Sequence, residues 1–251
     1  MLGPHLPAIV RDVAASRRRE ILAWQVALAD GPAIQAIVFD AYGTLFDLTS
    51  LETACRNLAP DPVAFVAQWR AKQLEYSWLR ALMGNYADFT RVTREALDYA
   101  LAHFVIEADD ETVRALLTAW VTLEPYPEVA GILARLRGLP LAILSNGSPT
   151  MLAAALNHAK LSRHFDAVLS AAAAHTYKPD PRVYALAPAA LHLSADQILF
   201  VSANTWDAVG AKEYNFRVAW CNRAGRVRDT HGPAPDLEIR TLTDLAEALR
   251  R

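Results

Sequence analysis

The chain has 251 residues, of which 53% are hydrophobic and 21% charged, a composition typical of a globular protein with a sizeable buried core. Its 25 basic and 27 acidic side chains leave a formal net charge of -2, so no overall field draws it to nucleic acid or to an anionic membrane. No apolar run approaches the roughly 18 to 20 residues needed to cross a bilayer.

The first 33 residues are predicted to form an N-terminal extension that is mainly helical. Within it, SRRRE followed by ILAWQVALA has some features of a signal peptide. Glu20 and Gln25 interrupt that pattern, so an amphipathic helix is favoured. Cys55 and Cys221 stand far apart, outside any disulfide or zinc pattern, and this favours a reducing, cytoplasmic location.

Short apolar runs alternate with helical patterns over most of the chain, which is typical of parallel strands joined by crossover helices. Five runs are predicted to be strands, and all are apolar enough to be covered on both faces of a sheet. They are residues 36–39, 141–145, 167–170, 198–202 and 218–221. The sequence therefore predicts an α/β fold.

A long helical insertion separates the first two predicted strands. Apolar positions recur at helical spacing through residues 63–82, 90–105 and 110–121, and the interval is too long for a crossover connection. The chain is predicted to leave the core near Phe46 and to return near Pro125, followed by a helix over 128–138. The predicted organisation is the extension (1–33), a core domain (34–46 and 126–251) and a helical subdomain inserted between its two parts (47–125).

A carboxylate, Asp40, ends the first predicted strand within IVFDAYGTLFD. In open parallel sheets ligands bind at the carboxyl ends of the strands, so Asp40 is expected to face an active-site crevice. An aspartate that merely caps the next turn would leave the same pattern. Polar segments near three further strand ends favour a site: LSNGS, YKPDPRVY and VSANTWD, which contribute Ser145, Asn146, Lys178, Ser202, Asn204 and Asp207.

In this order the segments resemble the haloacid dehalogenase superfamily. Its members share a Rossmann-like core, an aspartate nucleophile after the first strand, a Ser or Thr after the second, a Lys near the third and acidic residues after the fourth. The resemblance runs from about Ile34 to the C-terminus. It implies a Rossmann-like parallel sheet core with an inserted helical cap subdomain.

Within that superfamily, DAYGTLFD, WRAKQLEYSWLR, SNGSP, YKPDPRVY and VSANTWDA resemble the L-2-haloacid dehalogenase branch. This implies hydrolysis of short (S)-2-haloacids to (R)-2-hydroxy acids and halide. The superfamily's phosphatases carry a second aspartate where this chain has Tyr42, and they tend to carry an acidic residue where it has Ser202. Magnesium prefers several hard oxygen ligands, so no catalytic metal and no other cofactor is expected.

The resemblance also implies roles for the reacting groups. Asp40 is expected to attack C2 of the substrate and to form an ester that water then hydrolyses. Arg70 is expected to receive the halide, because a guanidinium stays charged and is weakly hydrated. Ser145 and Asn146 are expected to hold the substrate carboxylate, together with backbone amides near Tyr42.

The remaining implied residues support these groups. Thr44 is expected to orient Asp40, Lys178 to act on the Asp40 carboxylate, and Tyr184 to support Lys178 and Asp40 through hydrogen bonds. Asp207, with Ser202 and Asn204, is expected to position or activate the hydrolytic water. The apolar wall around the substrate is implied to consist of Tyr42, Leu74, Phe89 and Trp206. One departure is Ala71, where the family often has a glutamine.

Two alternative functions are considered beside the favoured one. One is a magnesium-dependent phosphatase that uses the same aspartate, and the other is a non-catalytic binding protein on this fold. The resemblance further implies a homodimer that associates through the inserted helices, with a small-molecule substrate and no nucleic-acid or membrane partner.

Overall fold

The computed structural model describes residues 18–26, 28 and 31–249. The strands are β1 (Ala36–Phe39), β2 (Leu141–Ser145), β3 (Ala167–Ser170), β4 (Ile198–Ser202), β5 (Arg217–Cys221) and β6 (Leu237–Ile239). The helices from residue 49 onward are α1 (Thr49–Ala54), α2 (Pro62–Leu82), α3 (Phe89–His103), α4 (Asp110–Ala119), α5 (Val129–Arg135), α6 (Pro149–His158), α7 (Pro181–Tyr184), α8 (Leu186–Leu191), α9 (Thr205–Glu213) and α10 (Leu242–Ala248).

The strands form one parallel six-stranded sheet in the order β3-β2-β1-β4-β5-β6. All residues of β1, β2, β4 and β5 are buried, as their apolar sequences predict. The strand order reverses between β1 and β4, and in such sheets the ligand crevice opens at the carboxyl ends of the strands on either side of that point. The predicted α/β fold with a Rossmann-like core is therefore confirmed.

Two features of the sheet differ from prediction. The expectation that every strand is covered on both faces is wrong for β3, whose Val168 is 43% exposed, because β3 lies at the edge of the sheet. The opposite edge strand, β6, is not predicted, since three residues are too few to show a periodicity. In addition, β5 begins at Arg217, one residue before the predicted start.

The inserted helices begin at residues suited to cap them. The side chains of Asp61, Asp88 and Asp109 accept hydrogen bonds from backbone N–H groups in the first turns of α2, α3 and α4. Helix α3 ends at His103, before its predicted end, and Val105 has a φ of 55° in the left-handed region. Helix α1 is not predicted, and α4 and α5 are shorter than predicted.

The chain leaves and re-enters the sheet region at one junction, where Phe46 and Pro125 form an antiparallel bridge. The backbone N–H of Asp47 donates to the carbonyl of Glu124 at 2.8 Å, and that of Tyr126 to the carbonyl of Leu45 at 3.0 Å. Helices α1 to α4 all lie between these two crossings. The two crossing segments are therefore held together by their own backbone hydrogen bonds.

Part of the predicted N-terminal extension lies within the described residues. Residues 18–26 and 28 are helical, and Trp24 and Leu28 pack against the core. Residues 1–17, 27, 29 and 30 lie outside the described residues, so the prediction for them is untested. Over the part of the chain that the structure describes, no helix combines the length and the apolar character needed to cross a membrane.

Candidate active site

Asp40 follows β1 directly, at the carboxyl end of a central strand, and is only 6% exposed. Its Oδ2 accepts hydrogen bonds from Thr44 Oγ1 at 3.1 Å and from Asn204 Nδ2 at 3.0 Å. Its Oδ1 accepts a hydrogen bond from Lys178 Nζ at 3.2 Å. Three donors therefore orient a carboxylate that has little contact with water, an arrangement suited to an oriented nucleophile.

The donors on Oδ2 connect Asp40 to the loop after β4. Thr44 Oγ1 also accepts a hydrogen bond from the backbone N–H of Ala203 at 2.8 Å, which leaves its hydroxyl hydrogen for Asp40. The backbone N–H of Asn204 donates to Ser202 Oγ at 3.2 Å. Because β1 and β4 are neighbours in the sheet, the residues that follow them meet at the crevice.

Lys178 bridges two buried carboxylates. Its Nζ lies 3.2 Å from Asp40 Oδ1 and 2.9 Å from Asp207 Oδ2, and the residue is 1% exposed. Burial raises the pKa of Asp207, the Lys178 ammonium opposes this effect, and the charge of Asp40 adds to it. One ammonium group therefore serves two carboxylates in a site from which water is largely excluded.

Tyr184 makes its side-chain hydrogen bond with Asp207. Its Oη donates to Asp207 Oδ1 at 2.8 Å and also lies 3.2 Å from the Asp207 backbone oxygen. Tyr184 was expected to support Lys178 and Asp40 through hydrogen bonds, and its hydrogen bond reaches Lys178 only through Asp207, to which Lys178 also donates. The contact with Asp207 results from the close packing of Tyr184 on α9, the helix that carries Asp207, where a Cβ at Gly210 would lie 2.6 Å from the Tyr184 hydroxyl.

The loop after β2 brings Ser145 and Asn146 to the same edge of the sheet. Ser145 is fully buried, and its Oγ accepts a hydrogen bond from the backbone N–H of Gly147 at 3.2 Å. Asn146 Oδ1 accepts one from the backbone N–H of Lys178 at 2.9 Å. Asn146 Nδ2 and the Tyr42 hydroxyl are buried without a hydrogen-bond partner among the described residues. Because an unpaired buried polar atom costs free energy, these two atoms indicate a place for a ligand.

Arg70 comes from α2 and is half-buried. Its Nη1 donates to Gln73 Oε1 at 2.5 Å, and its Cζ lies 5.8 Å from the centre of the Trp120 ring. Burial lowers the pKa of Arg70, and the negative charge of Asp40 is the largest influence in the opposite direction. Arg70 therefore interacts electrostatically with Asp40, and its hydrogen-bond partner among the described residues, Gln73, is neutral.

The four residues expected to form the apolar wall differ in burial and in the side chains that they contact. Phe89 is buried and its ring lies 5.7 Å from that of Tyr177, the neighbour of Lys178. Trp206, at the start of α9, is half-buried and meets Trp78 of α2 edge-on at 5.4 Å. Leu74 is half-buried and lies one helical turn beyond Arg70 on α2. The Tyr42 ring packs against the Trp120 ring, with 5.5 Å between the ring centres.

At the two positions where the superfamily's phosphatases carry acidic residues, this site has the Tyr42 phenol and the Ser202 hydroxyl. Ser202 is fully buried. Within residues 18–26, 28 and 31–249, no group of three or more histidine, cysteine, aspartate or glutamate side chains is arranged to hold a metal ion. The two carboxylates of the network, Asp40 and Asp207, both accept hydrogen bonds from Lys178.

Several residues of the site are not among those predicted from the sequence. Gln73 contacts Arg70 directly, and Thr93 contacts Gln73. Trp120 packs on both Tyr42 and Arg70. Gln73 follows Arg70 by three residues on one helix, a spacing that brings side chains together and could have revealed it. Thr93 and Trp120 come from other helices, and no local pattern identifies them.

Comparison with known proteins points to one family. The chain matches the haloacid dehalogenase-like hydrolase family over residues 34–215. It is 45% identical to the (S)-2-haloacid dehalogenase of Pseudomonas sp. (strain YL), over 85% of this chain and 94% of that protein. It is 42% identical to (S)-2-haloacid dehalogenase H-109 of Pseudomonas putida, over 86% of this chain and 98% of that protein.

A solved structure matches the whole arrangement of core and inserted helices. L-2-haloacid dehalogenase from Xanthobacter autotrophicus, with chloropropionic acid covalently bound, superimposes with a TM-score of 0.83 at 41% sequence identity. The match covers 86% of this chain and 98% of that one. With this fold, with an aspartate held by three donors at the end of β1, and with relatives of this similarity, the chain belongs to the haloacid dehalogenase-like hydrolases.

Proposed function

We propose that this protein hydrolyses short (S)-2-haloacids to (R)-2-hydroxy acids and halide through an aspartyl ester, without a metal ion. The observation that carries the proposal is the buried Asp40 carboxylate, held by Thr44, Asn204 and Lys178 at the end of β1. Relatives named (S)-2-haloacid dehalogenase, more than 40% identical over most of the chain, support the substrate class.

In the first step an oxygen of Asp40 attacks C2 of the substrate while the carbon–halogen bond breaks. The halide leaves with the bonding electrons from the face opposite Asp40, which inverts the configuration at C2. Arg70 receives the halide, since its guanidinium is charged and its protein partner, Gln73, is neutral. Ser145 and the unpartnered Nδ2 of Asn146 bind the substrate carboxylate.

In the second step water adds to the carboxyl carbon of Asp40. Thr44 and Asn204 donate to Oδ2 of Asp40 and Lys178 donates to Oδ1, so when one of these oxygens is bonded to C2 in the ester, the donors on the other oxygen stabilise the oxyanion that develops there. The bond from that carbon to the ester oxygen then breaks, and this oxygen leaves on C2 and takes up the proton lost by the water, which releases the hydroxy acid and leaves one oxygen of water in Asp40. Asp207 positions or activates the water together with Ser202 and Asn204, which hydrogen-bond to each other, and Tyr184 donates to Asp207.

Apolar side chains form the remaining walls of the proposed site. Tyr42 and Phe89 are buried, and Leu74 and Trp206 are half-buried. Low water content favours displacement of halide by a carboxylate, because a hydrated carboxylate is a weak nucleophile. The Trp78–Trp206 contact joins α2 to the core at this wall, which supports a site closed by the inserted helices.

The decisive experiment follows halide release and isotope transfer together. With excess protein and one turnover of (S)-2-chloropropionate in heavy-oxygen water, the label is expected in Asp40 and not in the first hydroxy acid released. Asp40→Asn should abolish halide release, while Asp110→Asn, an exposed carboxylate at the start of α4, serves as the control and should leave it unchanged. Label appearing directly in the product rejects the ester.

Metal independence has its own test, because the magnesium-dependent phosphatase is the rival on this fold. Halide release should continue in excess chelator. Chelator-sensitive phosphate release, together with no halide release from (S)-2-chloropropionate, would establish the rival function instead. If Asp40→Asn changes neither an activity nor the affinity for any haloacid, the protein is a binding protein on this fold.

We further propose a cytoplasmic homodimer that associates through the inserted helices. Leu79, Leu82 and Met83, at the end of α2, are between 44% and 85% exposed, and exposed apolar clusters mark association surfaces. Both cysteines are free and buried, in keeping with a reducing compartment. Sedimentation equilibrium distinguishes the dimer from a monomer, and Leu82→Lys should shift the protein toward monomer.

A further inference from the structure

A buried polar pair lies behind Arg70, on the inserted helices. Gln73 of α2 is fully buried and Thr93 of α3 is 1% exposed. Gln73 Nε2 donates to Thr93 Oγ1 at 2.7 Å, and Gln73 Oε1 accepts from Arg70 Nη1 at 2.5 Å. Polar side chains buried this deeply are retained only with well-paired hydrogen bonds, and here the pairing ends at Arg70.

The donor and the acceptor of each hydrogen bond in the series Arg70–Gln73–Thr93 can be assigned from the contacts of Thr93. The Thr93 hydroxyl donates its hydrogen to the carbonyl of Phe89 at 2.7 Å, so towards Gln73 it can only accept. The amide of Gln73 must then present its NH₂ group to Thr93 and its oxygen to Arg70. With the opposite orientation, two donors would face each other at Arg70 and Thr93 would have no donor to accept from.

The position of Thr93 is held independently of Gln73. Trp69, the residue before Arg70, donates from its indole Nε1 to the backbone carbonyl of Thr93 at 2.9 Å. The Trp69 ring packs against Trp120 at 5.5 Å, and Trp120 lies beside the guanidinium of Arg70. Helices α2 and α3 are thereby joined at the turn that carries Arg70.

We propose that Gln73, oriented by Thr93, is a positioning residue that fixes the plane of the Arg70 guanidinium while leaving its charge available to the departing halide. This inference rests on the proposed function, in which Arg70 receives the halide. Gln73 can play this role only because its amide oxygen is a neutral acceptor. A carboxylate in the same place would form an ion pair with Arg70, and that pair would compete with halide for the guanidinium.

The effect of disturbing the Arg70 guanidinium is expected to depend on the leaving group. Chloride is a poorer leaving group than bromide, so its departure gains more from a positioned guanidinium. Thr93→Val removes the acceptor that orients Gln73 and should lower the single-turnover rate on (S)-2-chloropropionate by about tenfold. The rate on (S)-2-bromopropionate should fall less, and the KM for either substrate should change little.

Three further variants separate positioning from general damage to the fold. Gln73→Glu should weaken chloride binding, followed by chloride-35 NMR line broadening, by at least about tenfold. Thr93→Ser keeps the hydroxyl and should restore the chloride-to-bromide rate ratio. Ser77→Ala, on the next turn of α2, removes a buried hydroxyl whose hydrogen bond goes to the carbonyl of Leu74, and should leave rates and chloride binding unchanged.

The outcomes separate this inference from the proposed function. If wild-type protein releases no halide, the proposed function fails, and chloride binding by the same variants still tests the role of Gln73. If wild-type protein turns over both substrates while Thr93→Val and Gln73→Glu keep the wild-type rate ratio and chloride affinity, the function stands and the inference is overturned. A Ser77→Ala variant that shifts the rate ratio as much as Thr93→Val does would overturn the inference in the same way.

Discussion

Lys178 shows how strongly a single residue can couple the chemistry of this site to its stability. It lies between Asp40 and Asp207, and all three side chains are almost fully buried. Transfer of each charge from water is costly, and the hydrogen bonds among them offset that cost only while every partner is present. Removing Lys178 would take away the ammonium group that contacts both buried carboxylates.

Lys178→Met should therefore abolish halide release and lower the free energy of unfolding by about 3 to 5 kcal/mol. Halide assays and urea denaturation at neutral pH measure the two effects. Lys72→Met is the control, since Lys72 pairs at the surface with Glu75 and should have a much smaller effect on stability. A Lys178 variant as stable as the Lys72 variant would contradict this account of the buried network.

The location of a site residue could be predicted from the sequence where its side chain lies at the end of a strand or directly after it. Asp40, Ser145 and Ser202 end or follow apolar runs, and the sheet brings such positions to one edge. The direct partner of Tyr184 could not be predicted, because a hydrogen bond between α7 and α9 depends on how closely two helices pack. Gly210, which permits that approach, carries no such signal in the sequence.

The loop between β2 and α6 also depends on close packing at a glycine. It must pass close to the loop after β1, and it does so at Gly147. A Cβ at Gly147 would lie 2.9 Å from Tyr42 Cε2 and 3.1 Å from Leu152 Cδ2. Both neighbours are buried, so neither side chain can move away without disturbing the core.

Gly147→Ala is expected to lower the free energy of unfolding by about 1 to 3 kcal/mol, because the new methyl group overpacks this contact. It should also reduce halide release by displacing Tyr42 from the site. Gly131→Ala is the matched control. No atom lies within 4 Å of a Cβ at Gly131 in α5, so this variant should be more stable by about 0.5 to 1 kcal/mol. Equal effects of the two substitutions would contradict the role of close packing at Gly147.

For the molecule as a whole, one buried histidine makes stability depend on pH. His164 is 7% exposed, and burial lowers its pKa, with the charges of Arg163 and Arg137 acting in the same direction. The unfolded chain therefore takes up this proton first as the pH falls. The contribution of neutral His164 to the stability of the folded state is therefore complete above about pH 6.5, the usual pKa of histidine. It is lost as the pH falls through the lowered pKa that His164 has in the folded state.

His164→Gln, which does not titrate, should reduce the loss of unfolding free energy between about pH 7.5 and about pH 5.5. Urea denaturation at the two pH values measures it. His231→Gln, at an exposed position in the loop between β5 and β6, is the control. A His164 variant that loses as much stability on acidification as the wild-type protein would assign the pH dependence to other groups.

The parallel sheet, the long helical insertion and the family could be predicted from the amino-acid sequence, because these depend on local features: apolar runs of strand length, helical periodicity and polar residues at strand ends. Which residues contact one another is known only from the folded structure. The exposure of β3, the pairing of β6, the Tyr184–Asp207 contact and the Arg70–Gln73–Thr93 chain all depend on the positions of elements relative to one another. Hydropathy repeats over a few residues, whereas a contact between distant residues is determined by how whole elements pack, so a local pattern cannot encode it.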